Sequence, residues 1–493
     1  MKSSRGLFRI GLAALALAIA GAIFAWKTAR ASYDHLPTGF RDVVVLSGMS
    51  LPVSFEIAAD GRVFVAEQRG RILVFDDLRD STPTVFADLS TRVHSWSERG
   101  LLDIALDPRS PDEPAVYALY THDARIGGTA PLWGKPGDQS DTCPGPEQGT
   151  LYGCVASGRL SRLTTGPDGA VSENVLIEDW CIQFNTHTIG SLVFAPDGAL
   201  YVSAGDGADW RQTDYGQLGR PPNPCGDPPL PPGRAASPDV AEGGSLRAQS
   251  VLRSAGQPVT LDGTVIRIDP DTGAALPDNP YASDPDPNRR RVVAFGFKNP
   301  FRMTLDPSGR ALWIGDVGHD TWEEINRLPL ALPEALNFGW PCYEGRRRQN
   351  NYNRPGAFGH VGFQIATTGR CRSLYDQGDE AVEPPYWAYR HYFAVVPGDG
   401  CARTGGAISG LTFYEGTQYP SEYHGALFFS DFTAQCIWVL PAGEDGLPDP
   451  TSRRRFVWQA GTPVELRSGS DGDLLYLDFV TGELHQIVYR PGL

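Results

Sequence analysis

The feature that most constrains this chain is a unit that recurs along it. Each copy has an apolar residue, a turn ending in Asp-Gly or an equivalent, and an alternating strand that closes on a small or acidic residue. Four copies are clear: IAADGRVFVAEQRG from Ile57, FAPDGALYVSAGDG from Phe194, LDPSGRALWIGDVG from Leu305 and SGSDGDLLYLDFVTG from Ser468. Two degenerate copies, ALDPRSPDEPAVYALYTHD from Ala105 and EYHGALFFSDFTAQCIWVL from Glu422, bring the number to six. A tight turn feeding a period-2 strand makes an antiparallel hairpin. Six hairpins with no useful helical periodicity between them predict an all-β six-bladed β-propeller, its N- and C-terminal strands sharing one blade. Two sandwich domains fit less well, because the turn signature runs through both halves without a linker. Residues 36–493 therefore read as one domain. The larger gaps between copies fall around Gly127–Gly149, Asp206–Gly256 and Leu328–Gly400. Insertions in inter-strand loops are where such a scaffold carries function.

Composition bounds the partners. With 56 Gly and 41 Pro among 493 residues, the chain has the turn content a propeller needs. Its net charge of −15 and its short, scattered arginine triplets leave no basic face for nucleic acid. At the N-terminus, Lys2, Arg5 and Arg9 precede an apolar stretch from Ile10 to Trp26, and Ala29-Arg30-Ala31 offers small residues for cleavage. Residues 1–31 thus read as an export segment, giving a periplasmic or extracellular location. The apolar stretch is long for a cleaved signal and short for a span (about 17–25 residues), so membrane attachment through residues 10–26 stays open. Eight cysteines, none in a C-x-x-C pair, suit an oxidising compartment and four disulfides, with sequence-adjacent pairing as the simplest arrangement.

The densest chemistry lies between Val292 and Gly345. Here GFKNPFR is followed by the third clear turn, a loop reading GDVGHDTWEEIN, and NFGWPCYEG. This stretch resembles the signature segment of the glucose/sorbosone dehydrogenase family, quinoproteins that oxidise sugars with pyrroloquinoline quinone (PQQ). The likeness covers the chain from about Leu36 onward and is greatest to the ERGLL-containing branch, here Glu98-Arg99-Gly100-Leu101-Leu102. The same segment also occurs in Hedgehog-interacting proteins, which have no known redox role. The resemblance implies a general base at His187, in the pattern H-x-x-G-x-L-x-F-x-P-D-G ending at Gly198. A lone histidine before a strand is otherwise more often a structural hydrogen-bonder. It further implies that Lys298 and Asn299, in place of an Arg-Asn pair, hold the cofactor. The backbone carbonyls of Gly318 and His319 would bind its calcium. Glu323 and Glu324 could add carboxylate ligands for that hard cation, or else cap and solvate a turn.

Three departures from the family pattern bear on activity. Glu98 stands where the family has a glutamine that contacts the cofactor, an unfavourable charge for a tricarboxylated quinone. Thr433 falls at the family's quinone-binding lysine, and Thr462 and Val464 fall at its paired arginines. The sequence therefore supports an exported PQQ- and calcium-dependent aldose dehydrogenase with a small sugar substrate and an unidentified electron acceptor. It also supports a non-catalytic, calcium-stabilised propeller that binds carbohydrate or protein. A propeller hydrolase is the third reading, with no further acid–base pair to favour it.

Overall fold

The computed structural model describes residues 35–110, 115–133, 149–150, 153–208, 225–228, 242–349, 367–469 and 471–491. The expected export segment, residues 1–31, and Cys143 lie outside them. Among the described residues no helix is long and apolar enough to cross a membrane.

Each turn-strand copy supplies the first hairpin of a blade. In FAPDGALY, Gly198 adopts φ 84° and the Asp197 carboxylate accepts from Ala199 N at 3.0 Å. In LDPSGRAL, Gly309 adopts φ 64° and Asp306 accepts from Arg310 N at 3.0 Å. A left-handed glycine beside an Asx-bonded aspartate is turn chemistry that sets strand register locally. The innermost strands are Pro52–Ile57, Leu101–Leu106, Ile189–Phe194, Pro300–Leu305, Ile408–Phe413 and Pro463–Ser468, one for each of blades one to six. Each contacts the next, and the sixth contacts the first, so the ring closes. The closing blade takes its inner three strands from the C-terminus and its outer strand, Phe40–Leu46, from the N-terminus. Phe40 pairs with Tyr489 in an antiparallel ladder, as the expected shared blade requires.

The strands are buried on both faces, as in Val63–Glu67, Leu200–Ala204 and Leu427–Asp431. Sheet packs on sheet around the ring, which explains strands that read as near-continuous apolar runs. Three disulfides join Cys181 to Cys225, Cys342 to Cys371 and Cys401 to Cys436. Cys154 is also disulfide-bonded, and no cysteine among the described residues is free. The pairing is sequence-adjacent wherever both partners are described.

One insertion shapes the site. After the third strand of blade four, Trp322–Pro329, the chain crosses to blade three. There Leu336–Asn337 adds a fifth strand parallel to Val292–Phe295. Trp340 N then donates to Gly296 O at 2.8 Å, and the Gln249 and Asn337 amides bond reciprocally beneath it. The insertion thereby delivers Trp340 to a loop more than a hundred residues earlier.

Candidate functional site

All six inner strands begin at one end of the ring, and the sequence-predicted residues gather at that mouth. The acid that closes the second strand of a blade usually clasps the segment entering the inner strand. Glu67 accepts from Ser50 N (2.6 Å), Asp316 from Asn299 N (2.6 Å) and Lys298 N (3.2 Å), and Asp431 from Ala407 N (3.0 Å). In blade three, Asp206 instead takes the His187 ring. His187 Nδ1 lies 3.0 Å from Asp206 Oδ1, while Trp340 Nε1 donates to Oδ2 at 2.7 Å and Ala208 N to Oδ1 at 3.0 Å. Blade two has a related pair, His94 Nδ1 to Asp123 at 2.8 Å. The His187 pair differs in what its other ring nitrogen faces: Nε2 is 2.9 Å from the Lys298 ammonium, which also donates to Val317 O at 3.3 Å.

These partners assign the tautomer. A carboxylate at Nδ1 makes that nitrogen the N–H, so Nε2 carries the lone pair, which accepts from Lys298. His187 is 5% exposed and sits at φ 49°, a left-handed conformation that a non-glycine residue holds only when its surroundings impose it. Those surroundings are Glu98, whose carboxylate accepts His187 N at 2.7 Å, and Gly207 N, which donates to His187 O at 2.8 Å. A Cβ on Gly205 would collide with the same carbonyl. For Asp206, burial works toward protonation, but His187, hydrogen-bonded to it, and the Lys298 charge outweigh it and hold the carboxyl below its ordinary range. Asn299 completes the group: its side-chain Oδ1 is buried with no partner among the described residues.

The Gly318–His319 loop lies beside this group. Gly318 N donates to Glu323 Oε1 at 3.3 Å. His319, Asp320, Thr321 and Trp322 N–H groups all turn to Glu344 Oε1 at 2.9–3.2 Å. The His319 ring stands 5.9 Å from that of Trp340. Burial, then the Lys298 ammonium and the histidines nearby, pushes its pKa well down, so it is neutral at pH 7.

Glu323 and Glu324 are not brought together. The W-E-E-I-N run is a strand and neither a loop nor a solvated turn, so successive side chains take opposite faces. Glu323 pairs with His391 Nε2 and accepts Ile408 N at 2.8 Å, on the blade-five side. Glu324 accepts Gly345 N at 2.6 Å and Asn326 Nδ2 at 3.1 Å. Burial raises the pKa of both, and Asp316 adds to the rise at Glu324. Among the described residues no three His, Cys, Asp or Glu side chains converge as a metal-binding group.

The residues that depart from the family pattern have local uses. Thr433 donates through both N and Oγ1 to Asp431 at 2.9 Å, Thr462 Oγ1 bonds Asp478, and Val464 is 5% exposed in the core. Asp206, Trp340 and Glu344 were not singled out from the sequence. Asp206 had a signal, since it stands where the repeat places its strand-closing acid.

A propeller with a carboxylate-oriented histidine at its mouth defines a class of scaffold. The family follows from sequence: the glucose/sorbosone dehydrogenase pattern matches residues 49–219 and 244–363, more than half the chain, and the chain belongs to that family. It is 24% identical over 454 residues to an uncharacterized protein of Synechocystis sp., covering 88% of this chain and 83% of that one. It is 22% identical over 422 residues to the HIPL1 protein of Arabidopsis thaliana, covering 82% of this chain and 51% of that protein, so it spans about half the latter's length. The PQQ-bound form of aldose sugar dehydrogenase from Streptomyces coelicolor superposes with a TM-score of 0.56 at 17% identity, over 92% of this chain and 99% of that one. At that identity the likeness is one of fold.

Proposed function

We propose that this protein is an exported sugar dehydrogenase in which His187 takes the hydroxyl proton while the carbon-bound hydrogen leaves as hydride to PQQ. The observation that carries the reading is the Asp206–His187 pair, with Nε2 presented at the mouth in the tautomer a general base requires. Family membership supports the same chemistry. A bound quinone would supply the electron-deficient carbon that accepts the hydride. Lys298 and Asn299 fit such a group: an ammonium for a carboxylate or quinone oxygen, and an amide whose Oδ1 lacks a partner among the described residues. Thr433, Thr462 and Val464 add no charge to it, and Glu98 is engaged by the His187 amide.

The chain's own part is then proton handling. Asp206 keeps Nδ1 protonated, Trp340 and Ala208 keep Asp206 in place, and a sugar hydroxyl takes the position that Lys298 occupies at Nε2. Proton transfer to Nε2 creates an imidazolium, which the adjacent carboxylate stabilises. A calcium ion in this reading would be held by the Gly318 and His319 carbonyls, whose own N–H groups are turned to Glu323 and Glu344. Glu323 and Glu324 do not fit as joint ligands, and no step depends on the ion.

The test is PQQ titration of the purified exported protein, followed by dye-linked oxidation of aldoses. Saturable binding and turnover are expected, with His187→Ala abolishing turnover and leaving quinone binding in place. No binding at micromolar PQQ and no oxidation would leave the non-catalytic propeller.

A further inference from the structure

Beyond the His187 group, the mouth carries a cleft of about 260 Å³ at the rim of blade four, lined by Thr321, Trp322, Glu344, Arg347, Arg348 and Arg390. It opens on the same face as the site. Trp322 begins the third strand of blade four and Arg390 ends its outer strand, the two being register partners, at the end where Lys298 and Asn299 enter the inner strand. The two regions are joined through the Glu344-bound loop, the His319–Trp340 ring contact and the Trp340–Asp206 hydrogen bond.

Three properties of the cleft are unusual for this chain. First, in a protein of net charge −15, Arg347 and Arg390 have no carboxylate partner among the described residues. Arg348 has one carboxylate partner among them, the exposed Asp379 at 3.4 Å, and also donates to Tyr375 O at 3.1 Å. Second, the one acid in the wall is already engaged: Glu344 accepts four backbone N–H groups through Oε1 and Gln349 Nε2 at 2.7 Å through Oε2. Third, the guanidiniums are interleaved with aromatic rings. Arg390 lies 5.5 Å from the Trp322 centroid and 4.5 Å from that of Phe393. Next to the cleft, outside its lining, Tyr392 and Phe393 are 59% and 58% exposed, more than any other large apolar side chain described.

Unpaired guanidiniums recognise carboxylates by bidentate hydrogen bonds, and exposed aromatic faces offer stacking surfaces to flat apolar faces such as those of a pyranose ring. We propose that this cleft is a subsite for a carboxylate-bearing sugar residue, and that the substrate is an acidic, uronate-containing oligosaccharide whose oxidised end lies at His187. An acidic protein partner suits the surface less, because a specific protein interface buries about 1,200 Å² or more and the feature here is a narrow cleft. The substrate claim rests on the sugar dehydrogenase reading, whereas binding at the cleft does not.

Isothermal titration of the full chain with trigalacturonate, maltotriose and polyglutamate, without electron acceptor, separates the outcomes. Trigalacturonate should bind with an affinity that falls as salt rises, and maltotriose at least about tenfold more weakly. The Arg347→Gln/Arg390→Gln variant should lose about tenfold or more of the trigalacturonate affinity, and Arg390→Lys less. An unchanged melting temperature would show that these exposed positions do not alter the fold. Equal binding of maltotriose, undiminished binding in the double variant, or polyglutamate binding as tight as trigalacturonate would each overturn the subsite. If trigalacturonate binds but PQQ-loaded protein does not oxidise it, the cleft stands and the substrate assignment falls. If aldoses are oxidised but trigalacturonate does not bind, the dehydrogenase stands and the cleft falls.

Discussion

In the throat of the propeller two arginines face three carboxylates across the inner strands; at its mouth Lys298 and His187 sit among Glu98, Asp206 and Asp316. The throat closes on itself. Arg467 bonds Glu56 and Glu465, both at 2.8 Å, and Arg302 donates to Val53 O and Leu102 O and lies 3.6 Å from Glu465. Asp103 accepts Ser54 Oγ and Leu192 N at 2.6 and 2.7 Å. Five blades are tied together by side chains whose partners are other parts of the ring. At the mouth, Lys298 rests against a nitrogen lone pair, Asn299 Oδ1 has no partner among the described residues, and His187 is held in a strained backbone conformation. Similar residue types serve cohesion in one place and reactivity in the other, and the difference is what they face. In the throat Arg302 and Arg467 face carboxylates of the ring, Arg302 Nε and Glu465 Oε2 meeting as an ion pair at 3.6 Å and not as a hydrogen bond, whereas at the mouth Lys298 faces a neutral ring nitrogen.

Breaking the mouth should give the largest effect. Asp206→Asn is nearly isosteric but removes the charge that fixes the tautomer and supports the imidazolium. The expected loss in kcat is ~10³–10⁴-fold with PQQ affinity retained, measured by dye-linked aldose oxidation. A loss below about tenfold would show that Asp206 only braces the loop. In the throat, the cost should appear in stability. Arg302→Met leaves Glu465 buried without one of its cations and should destabilise by about 3–5 kcal/mol in denaturant titration, whereas Arg302→Met/Glu465→Leu should recover much of that.

The throat also makes a pH prediction. With three acids to two arginines, one carboxyl is best kept neutral. Burial, offset in part by Arg467, pushes Glu56 up to about 7 from 4.5. A raised acid binds its proton more tightly folded than unfolded, so its contribution is greatest below pH 4.5 and is lost as pH rises toward 7. Glu56→Gln should remove that loss, flattening the stability–pH curve and gaining about 2–3 kcal/mol over wild type at pH 8 but nothing at pH 4. Parallel curves for the two proteins would contradict it.

Much of this architecture was legible because it is local. The turn chemistry of Asp197-Gly198 or Asp306 to Gly309 is written within a few residues, and its sixfold recurrence specifies the ring. His187, Lys298, Asn299, Gly318 and His319 were readable as a group through the family likeness, and the structure brings them to one mouth. What escaped is what long-range packing decides. Trp340 reaches Asp206 only because an insertion from blade four adds a strand to blade three. Glu323 and Glu324 carried no sign of their opposite faces, because a strand buried on both sides shows no polar alternation.

The smallest expected effect concerns those two glutamates. If calcium binds at the carbonyls of Gly318 and His319, it stabilises the native state by mass action, about 2.7 kcal/mol at a hundredfold excess over Kd. That increment should be the same in wild type and in Glu324→Gln, because the Glu324 carboxylate is turned to Gly345 and Asn326 on the face opposite Glu323. Gln can make similar contacts, since Asn326 Oδ1 has no partner among the described residues and its amide can turn to accept. The measurement is the melting temperature of both proteins with calcium and after chelation. Equal shifts place the ion on the backbone, and a shift lost only in the variant would return Glu324 to the metal. No shift in either protein would remove calcium from the site, leaving the buried carboxylates as part of the scaffold around His187.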